Sequence, residues 1–260
     1  MEYLSHTPNT FCWAELATVS VEEAKEFYRK LFSISAYTNT GGSYHLLEVD
    51  GKPVGGMYEL AQPQEITGIP PHWMPYIICD DLIATLEKVK ANSGTVVVDP
   101  WAAGDIGATA IIQDVEGALL GLWQGGSLRS SAWKHRHGTI SWFEHASKGN
   151  KETVPFYEKV FGYSSRTEPM GDSVYTTFYL GDEVVAGLYI MPEMMRDVPP
   201  HWLIYFAVNS VDKALEVTVA AKGEILMPKT QVPGIGMFAV IRDPQGAVLG
   251  LIEGEKVAAE

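Results

Sequence analysis

The sequence predicts an α+β protein built from two tandem copies of one domain, with helices packed on one face of a largely antiparallel sheet. Three observations carry this reading. The chain superimposes on itself when displaced by 129 positions. Each copy alternates strand-period segments with single-faced helices. Its strands are joined by short turn signals rather than by long crossovers.

The repeat is visible at Trp13/Trp142, Glu15/Glu144 and Ala17/Ala146, then at Phe27-Tyr28/Phe156-Tyr157 and Phe32/Phe161. The register slips by two residues around Tyr44/Tyr175, Gly56/Gly187 and Tyr58/Tyr189. It returns at PPHW, which occurs as Pro70-Pro71-His72-Trp73 and as Pro199-Pro200-His201-Trp202. The final stretch pairs DVEGALLGL with DPQGAVLGL. A match this long, in register and retaining Trp and Gly, marks a duplication. It predicts a first domain at residues 1–124, a linker at 125–137 and a second domain at 138–260. The connecting segment QGGSLRSSAWKHRHG, rich in Gly and Ser with a basic knot from Lys134 to His137, suits an exposed, solvated linker.

Each element has its own local cause. FCWAELAT alternates as a strand does, and Ser20-Val21-Glu22-Glu23 then opens a helix with a capping-box pattern. Ala24, Phe27, Tyr28, Leu31 and Phe32 fall on one apolar helix face. In the second copy Pro155 occupies the same window, so that helix is expected to start late, near Thr153. YHLLEV and PVGGMY follow as strands joined by Asp50-Gly51, a hairpin signal. After PPHW the order begins again, with a strand from Met74 to Cys79 and a helix from Asp81 to Ala91 that closes near Gly94. TVVVDP, ATAIIQ and ALLGLW are the last strands, with an Asp114–Gly117 turn before the final one. Each copy therefore reads β-α-β-β, with an optional further strand, followed by β-α-β-β-β.

Composition narrows the class of function. The chain has 260 residues, 46% hydrophobic and 20% charged, enough to bury a full core. A net charge of −13 argues against nucleic acid and anionic membrane as partners, since both require Lys/Arg clusters. Cys12 and Cys79 lie in apolar strand patterns and read as inert buried thiols. No apolar run is long enough to cross a bilayer, and the first residues show no secretory pattern. A cytoplasmic protein is expected, as a monomeric pseudo-dimer or a homodimer. No P-loop, dinucleotide fingerprint or nucleophile elbow is present.

EEAKEFYRKLF and KETVPFYEKVF after a first strand, and DPQGAVLGL at the end, resemble the vicinal oxygen chelate superfamily, which groups glyoxalases, bleomycin resistance proteins and extradiol dioxygenases. VPGIGMFAVIRDPQGA, Val232 to Ala247, is similar to the ending of its duplicated glyoxalase-like members. The resemblance implies two tandem glyoxalase-like domains, each of paired βαβββ modules whose curved sheets enclose a cleft. It also implies metal-ligand slots, which fall at Trp13/Trp142, near Gly56/Gly187, at Met74/Leu203 and at Gly121/Gly250. Indole, thioether and glycine cannot supply the imidazole and oxygen donors a divalent ion needs, so neither metal nor another cofactor is expected.

Strand alternation then predicts what lines the clefts. Trp13, Glu15 and Ala17, with His72, Met74 and Tyr76, should share one face with Leu119, Gly121, Trp123 and Tyr58. Their counterparts are Trp142, Glu144 and Ala146, His201, Leu203 and Tyr205, and Val248, Gly250, Ile252 and Tyr189. The expected site is an apolar, aromatic pocket with one carboxylate and one imidazole, made roomy by glycine. Glu15, Glu144, His72 and His201 are the candidate catalytic groups, weighed against a buried structural carboxylate and a packed strand-end histidine. His145 has no counterpart, since Leu16 stands in its place, and faces the other side as a structural residue. Two functions fit this pocket: a metal-free binder of a small hydrophobic or aromatic molecule, and a metal-independent lyase, isomerase or hydroxylase-type enzyme with Glu15 or Glu144 as base. A metal-dependent glyoxalase or dioxygenase is the third reading, opposed by the slots.

Overall fold

The computed structural model describes residues 7–39, 44–60, 69–126, 131, 135–232 and 234–254. It is an α+β structure with two eight-stranded mixed sheets. In the first sheet β1 (Phe11–Thr18), β2 (Ala36–Asn39), β3 (Tyr44–Val49), β4 (Lys52–Glu59), β5 (His72–Ile78), β6 (Thr95–Ala102), β7 (Gly107–Gln113) and β8 (Leu119–Gly125) are ordered 2-3-4-1-5-8-7-6. In the second, β9 (Ile140–Ser147), β10 (Ser164–Met170), β11 (Ser173–Leu180), β12 (Glu183–Ile190), β13 (His201–Ala207), β14 (Glu224–Val232), β15 (Gly236–Arg242) and β16 (Val248–Gly254) repeat that order. The helices are α1 (Val21–Phe32), α2 (Leu82–Ala91), α3 (Thr153–Phe161) and α4 (Val211–Ala220). Each sheet joins two βαβββ modules edge to edge through an antiparallel pair, β1 with β5 and β9 with β13. The optional strand is present in both copies, as β2 and β10.

Local signals place these elements as expected. Ser20 caps α1 by accepting from the Glu23 amide, and Asp81 caps α2 by accepting from the Ala84 amide. The apolar face of α1 is buried from Ala24 through Phe32. Pro155 stands in the first turn of α3, where its missing N–H leaves no helix bond unmade. Asp50 and Gly51 both take positive φ, the turn that joins β3 to β4.

Two expectations are corrected. The strand after PPHW runs from His72 to Ile78, not from Met74 to Cys79, because pairing of His72 with Ala17 begins as soon as the second proline is passed. The connecting segment is not wholly solvated. Ser131 and Gly138 are buried, the Ser131 amide bonds the Cys12 carbonyl and the Gly138 amide bonds the Ala207 carbonyl. Arg136 also pairs with Asp50 at 2.6 Å. Residues 127–130 and 132–134 of that segment, with Lys134 among them, lie outside the described residues.

The two sheets pack through their helix-bearing faces into one continuous core. Phe11 stacks on Phe143 with centroids 4.3 Å apart, and Phe206 lies 4.8 Å from both Phe32 and Trp73. At the flanks α2 meets α3 and α1 meets α4. The halves also interlock through their terminal turns. Asp243 Oδ1 accepts from the amides of Gln245, Gly246 and Ala247, while its Oδ2 accepts from the Tyr28 hydroxyl of the other half at 2.8 Å. Asp114 does the same with the Glu116 and Ala118 amides and with Tyr157, also at 2.8 Å. Trp73 and Trp202 complete the chain by donating to the two tyrosines. His145 is the one asymmetric member: fully buried, it meets Asp114 at 2.7 Å on this inner face, in the structural place expected of it. Among the described residues no helix is long and apolar enough to cross a membrane.

Candidate functional site

The face of each sheet turned away from the other half carries the candidate site. Cross-strand register assembles it in rows. One row runs Tyr44–Tyr58–Ala17–His72, and the next runs Leu46–Gly56–Glu15–Met74. A third brings Trp13, Tyr76, Gly121 and Ile111 together. Trp13, Met74, Tyr76 and Ile78 form a separate apolar cluster on this face, with Leu46, Ile111, Leu119 and Trp123 packed against it. The second sheet repeats the pattern with Tyr175, Tyr189, Ala146 and His201, then Thr177, Gly187, Glu144 and Leu203, then Trp142, Tyr205 and Gly250. The residues expected to share this face do share it.

The carboxylate in the middle row of each sheet accepts one phenol on each of its oxygens. Glu15 accepts from the Tyr44 hydroxyl at 2.7 Å on Oε1 and from the Tyr76 hydroxyl at 2.6 Å on Oε2. Trp13 Nε1 donates to the Tyr44 oxygen at 3.1 Å. Glu144 accepts from Tyr175 at 2.8 Å and Tyr205 at 2.9 Å, and Trp142 donates to Tyr175 at 3.1 Å. Burial pushes both carboxyls above the ordinary glutamate range, and the phenol donors pull them only part of the way back. The same burial, with the facing carboxylate, raises the phenols; Tyr58 is pushed up to about 12. Each phenol therefore stays protonated, and Tyr44, Tyr76, Tyr175 and Tyr205 donate to the carboxylates.

The glycines do not leave room for a ligand, contrary to expectation. A Cβ on Gly56 would collide with the Tyr44 hydroxyl, and one on Gly121 with the Tyr76 ring; Gly187 with Tyr175 and Gly250 with Tyr205 repeat this. The small residues are there because tyrosine rings lie directly on the strands, a close approach that any side chain would block. This decides the fit of a metal ion. Of the slots, Trp13 and Trp142 present N–H groups already donated to phenols, Met74 and Leu203 offer no hard donor, and the glycine positions are covered by tyrosine. Among the described residues no three His, Cys, Asp or Glu side chains converge as a metal-binding group. The residues present do not fit the divalent ion of the superfamily's metal-dependent members.

His72 and His201 lie one row from the carboxylates. Their Nδ1 atoms lie 2.9 Å from the Pro70 and Pro199 carbonyls. A carbonyl only accepts, so Nδ1 carries the proton and Nε2 keeps the lone pair. Burial lowers both imidazoles below the ordinary histidine value, which favours this neutral form. Tyr44 and Tyr175 are the members that the sequence reading left out. The signal was available, since they align in the repeat, but they lie one row along and two strands across from Glu15 and Glu144, beyond β4 and β12. A surface depression of about 340 Å³, lined by Asn92, Ser93, Asn150, Pro155, Phe156 and Lys159, lies at the junction of the halves and away from both carboxylates.

Comparison with known proteins agrees with the fold. The family model described as the glyoxalase/bleomycin resistance protein/dioxygenase superfamily matches residues 140–251. CFP32 of Mycobacterium bovis, provisionally named a glyoxylase, is 33% identical over 257 residues, covering 97% of this chain and 96% of its own length. The anthracycline biosynthesis protein DauV of a Streptomyces species is 30% identical over 46% of this chain and 50% of its own. The Mn(II)-bound glyoxalase of Novosphingobium aromaticivorans superimposes with a TM-score of 0.65 at 16% identity, covering 95% of this chain and 82% of that one. The 2,2',3-trihydroxybiphenyl 1,2-dioxygenase of Sphingomonas wittichii gives 0.67 at 14% identity, covering 98% and 93%. With two such domains in one chain and a full-length relative at this identity, the chain belongs to the glyoxalase/bleomycin resistance protein/dioxygenase superfamily.

Proposed function

We propose that the protein binds a small hydrophobic or aromatic molecule on the outer face of its sheets without a metal ion, and sequesters it. The observation that supports this reading is the Glu–Tyr–Tyr–Trp network, built twice from the same residue types where metal donors would otherwise stand. Each carboxylate oxygen accepts one phenol and keeps acceptor capacity for a ligand hydroxyl or N–H. His72 or His201 adds a lone-pair nitrogen one row away, and Tyr58 or Tyr189 a further hydroxyl. The remaining surface is apolar, which suits the body of an organic ligand.

The test has two parts. Elemental analysis of the purified protein should find no stoichiometric Mn, Fe, Ni or Zn; one equivalent of any of them overturns the metal-free reading. Tryptophan fluorescence titrated with a panel of aromatic compounds should respond, because Trp13 and Trp142 border the carboxylates; silence across the panel overturns the binding. One observation favours a second reading. The raised carboxyls of Glu15 and Glu144 suit a general base nearer neutrality than an exposed glutamate, hence a lyase, isomerase or hydroxylase-type reaction. Glu15→Gln with Glu144→Gln separates the two: lost turnover with retained binding supports catalysis.

A further inference from the structure

We infer that the two outer faces accept ligands of different charge, and that the second sheet takes an aromatic molecule bearing a carboxylate, selected by Arg166. This rests on the reading that these faces bind organic molecules, and names the ligand class for one of them. Register sets Arg166 opposite Thr177, Thr177 opposite Gly187 and Gly187 beside Glu144. Residues directly opposed across strands share a face, so Arg166 rises from edge strand β10 on the side that carries Glu144. Burial along β11 agrees: Thr176 and Phe178 are in the core, while Tyr175, Thr177 and Tyr179 alternate onto the outer face. The Arg166 guanidinium stands 5.2 Å from the Tyr179 ring centroid. Held over that ring it keeps its fork of N–H donors for another partner, and a carboxylate is the group that fits two of them at once. Among the described residues Arg166 forms no ion pair. Glu168, the next side chain on its face of β10, lies one row on, opposite Tyr175. The other Lys and Arg side chains of this sheet's strands are already taken, Arg242 by Glu224 and Lys229 by Asp212. Adjacent strands are ~4.8 Å apart, so three spacings set the Arg166 and Glu144 backbones roughly 14 Å apart. A single ring can lie between them with a hydroxyl toward Glu144 and a carboxylate toward Arg166.

The first sheet reverses the charge at the same place. Its edge strand β2 stands as far from β1 as β10 stands from β9. Thr38 lies opposite Leu46, where the second sheet has Arg166 opposite Thr177. Glu48 replaces Tyr179 and accepts from the Thr38 hydroxyl. That rim therefore presents a carboxylate to an arriving ligand instead of a guanidinium. With a net charge of −13 the chain as a whole repels anions, so one is held only where a cation is supplied locally. The carboxylate–phenol centres of the two faces are alike, and their rims differ in sign.

Calorimetric titration of the full chain with 4-hydroxybenzoate and with 4-hydroxybenzamide tests this, since the two probes share a shape and differ in charge. Wild type should bind one equivalent of the acid about ten-fold more tightly than the amide, with the difference shrinking at high salt. Arg166→Gln, at an exposed position, should remove that preference and leave amide binding unchanged, which also shows that the variant is folded. Arg166→Lys should keep only part of the preference, because an ammonium lacks the fork. Equal affinity for both probes, a second equivalent of acid bound as tightly as the first, or a preference that survives Arg166→Gln overturns the charge selection and leaves the organic-ligand reading standing. Silence from both probes while the wider aromatic panel responds does the same. Silence from every compound removes the reading of these faces as binding surfaces, and this inference with it.

Discussion

Glu15 and Glu144 show what a single half-buried carboxylate costs and what offsets it. Each is partly withdrawn from water, which disfavours its charge, and each recovers part of that through two phenols. Glu15→Ala would leave the Tyr44 and Tyr76 hydroxyls without their acceptor and should destabilise the fold by about 1–3 kcal/mol in urea titration, with Glu15→Gln costing less. Because the folded-state value of Glu15 is raised, its contribution to stability is present below the ordinary value of 4.5 and declines as pH rises through the folded value. The double Gln variant should flatten that decline. Asp114 has the opposite sign. Burial pushes it up, but His145, Tyr157 and the turn amides more than offset this and hold it below 3.8, so its contribution is lost as pH falls through the folded value. His145→Leu, which copies Leu16 of the first half, should cost about 1–3 kcal/mol near neutral pH. The cost should shrink as pH falls through the lowered folded value of Asp114 and the carboxylate is protonated; a loss that does not change with acidification would contradict the pairing.

At the level of elements, the strands are shaped by what lies on them. Tyr76 lies on Gly121 of β8, its partner in the parallel pair β5–β8, and Tyr44 lies on Gly56 of β4. Gly121→Ala forces the Tyr76 ring off its strand and away from Glu15. A loss of about 1–3 kcal/mol is expected, together with a changed near-ultraviolet tyrosine signal. An unaltered spectrum would mean the ring has room to spare. Most elements were legible beforehand because their causes are local: the Ser20 cap, the turn at Asp50-Gly51, and the helix delayed by Pro155. The start of β5 was missed by two residues because a proline blocks pairing only at its own position, which periodicity does not register.

On the scale of the whole molecule, the halves share a core and exchange hydrogen bonds through Tyr28–Asp243 and Tyr157–Asp114. Gln245 also bonds the Ser20 backbone at 2.7 and 2.9 Å, and Glu116 accepts from the amides of Lys148 and Asn150 at 3.1 Å. The two repeats should therefore unfold together. Circular dichroism and tryptophan fluorescence are expected to trace one coincident transition in urea; two separated transitions would show that the interlock adds little. The terminal DVEGA and DPQGA turns were read as hairpin connections, and their bridging role was invisible because their partners lie in the other repeat.

The sequence by itself determined the duplication, the order of nearly all elements and the face on which Glu15, His72, Trp13 and Tyr76 lie. These follow from periodicity, capping and turn chemistry, which act over a few residues. Only the tertiary structure decided that glycine accommodates tyrosine rather than ligand, that Tyr44 and Tyr175 complete the carboxylate networks, and that each half bonds through the other's last turn. Those outcomes depend on strand register and on the packing of one sheet against another, which bring together residues far apart in the chain.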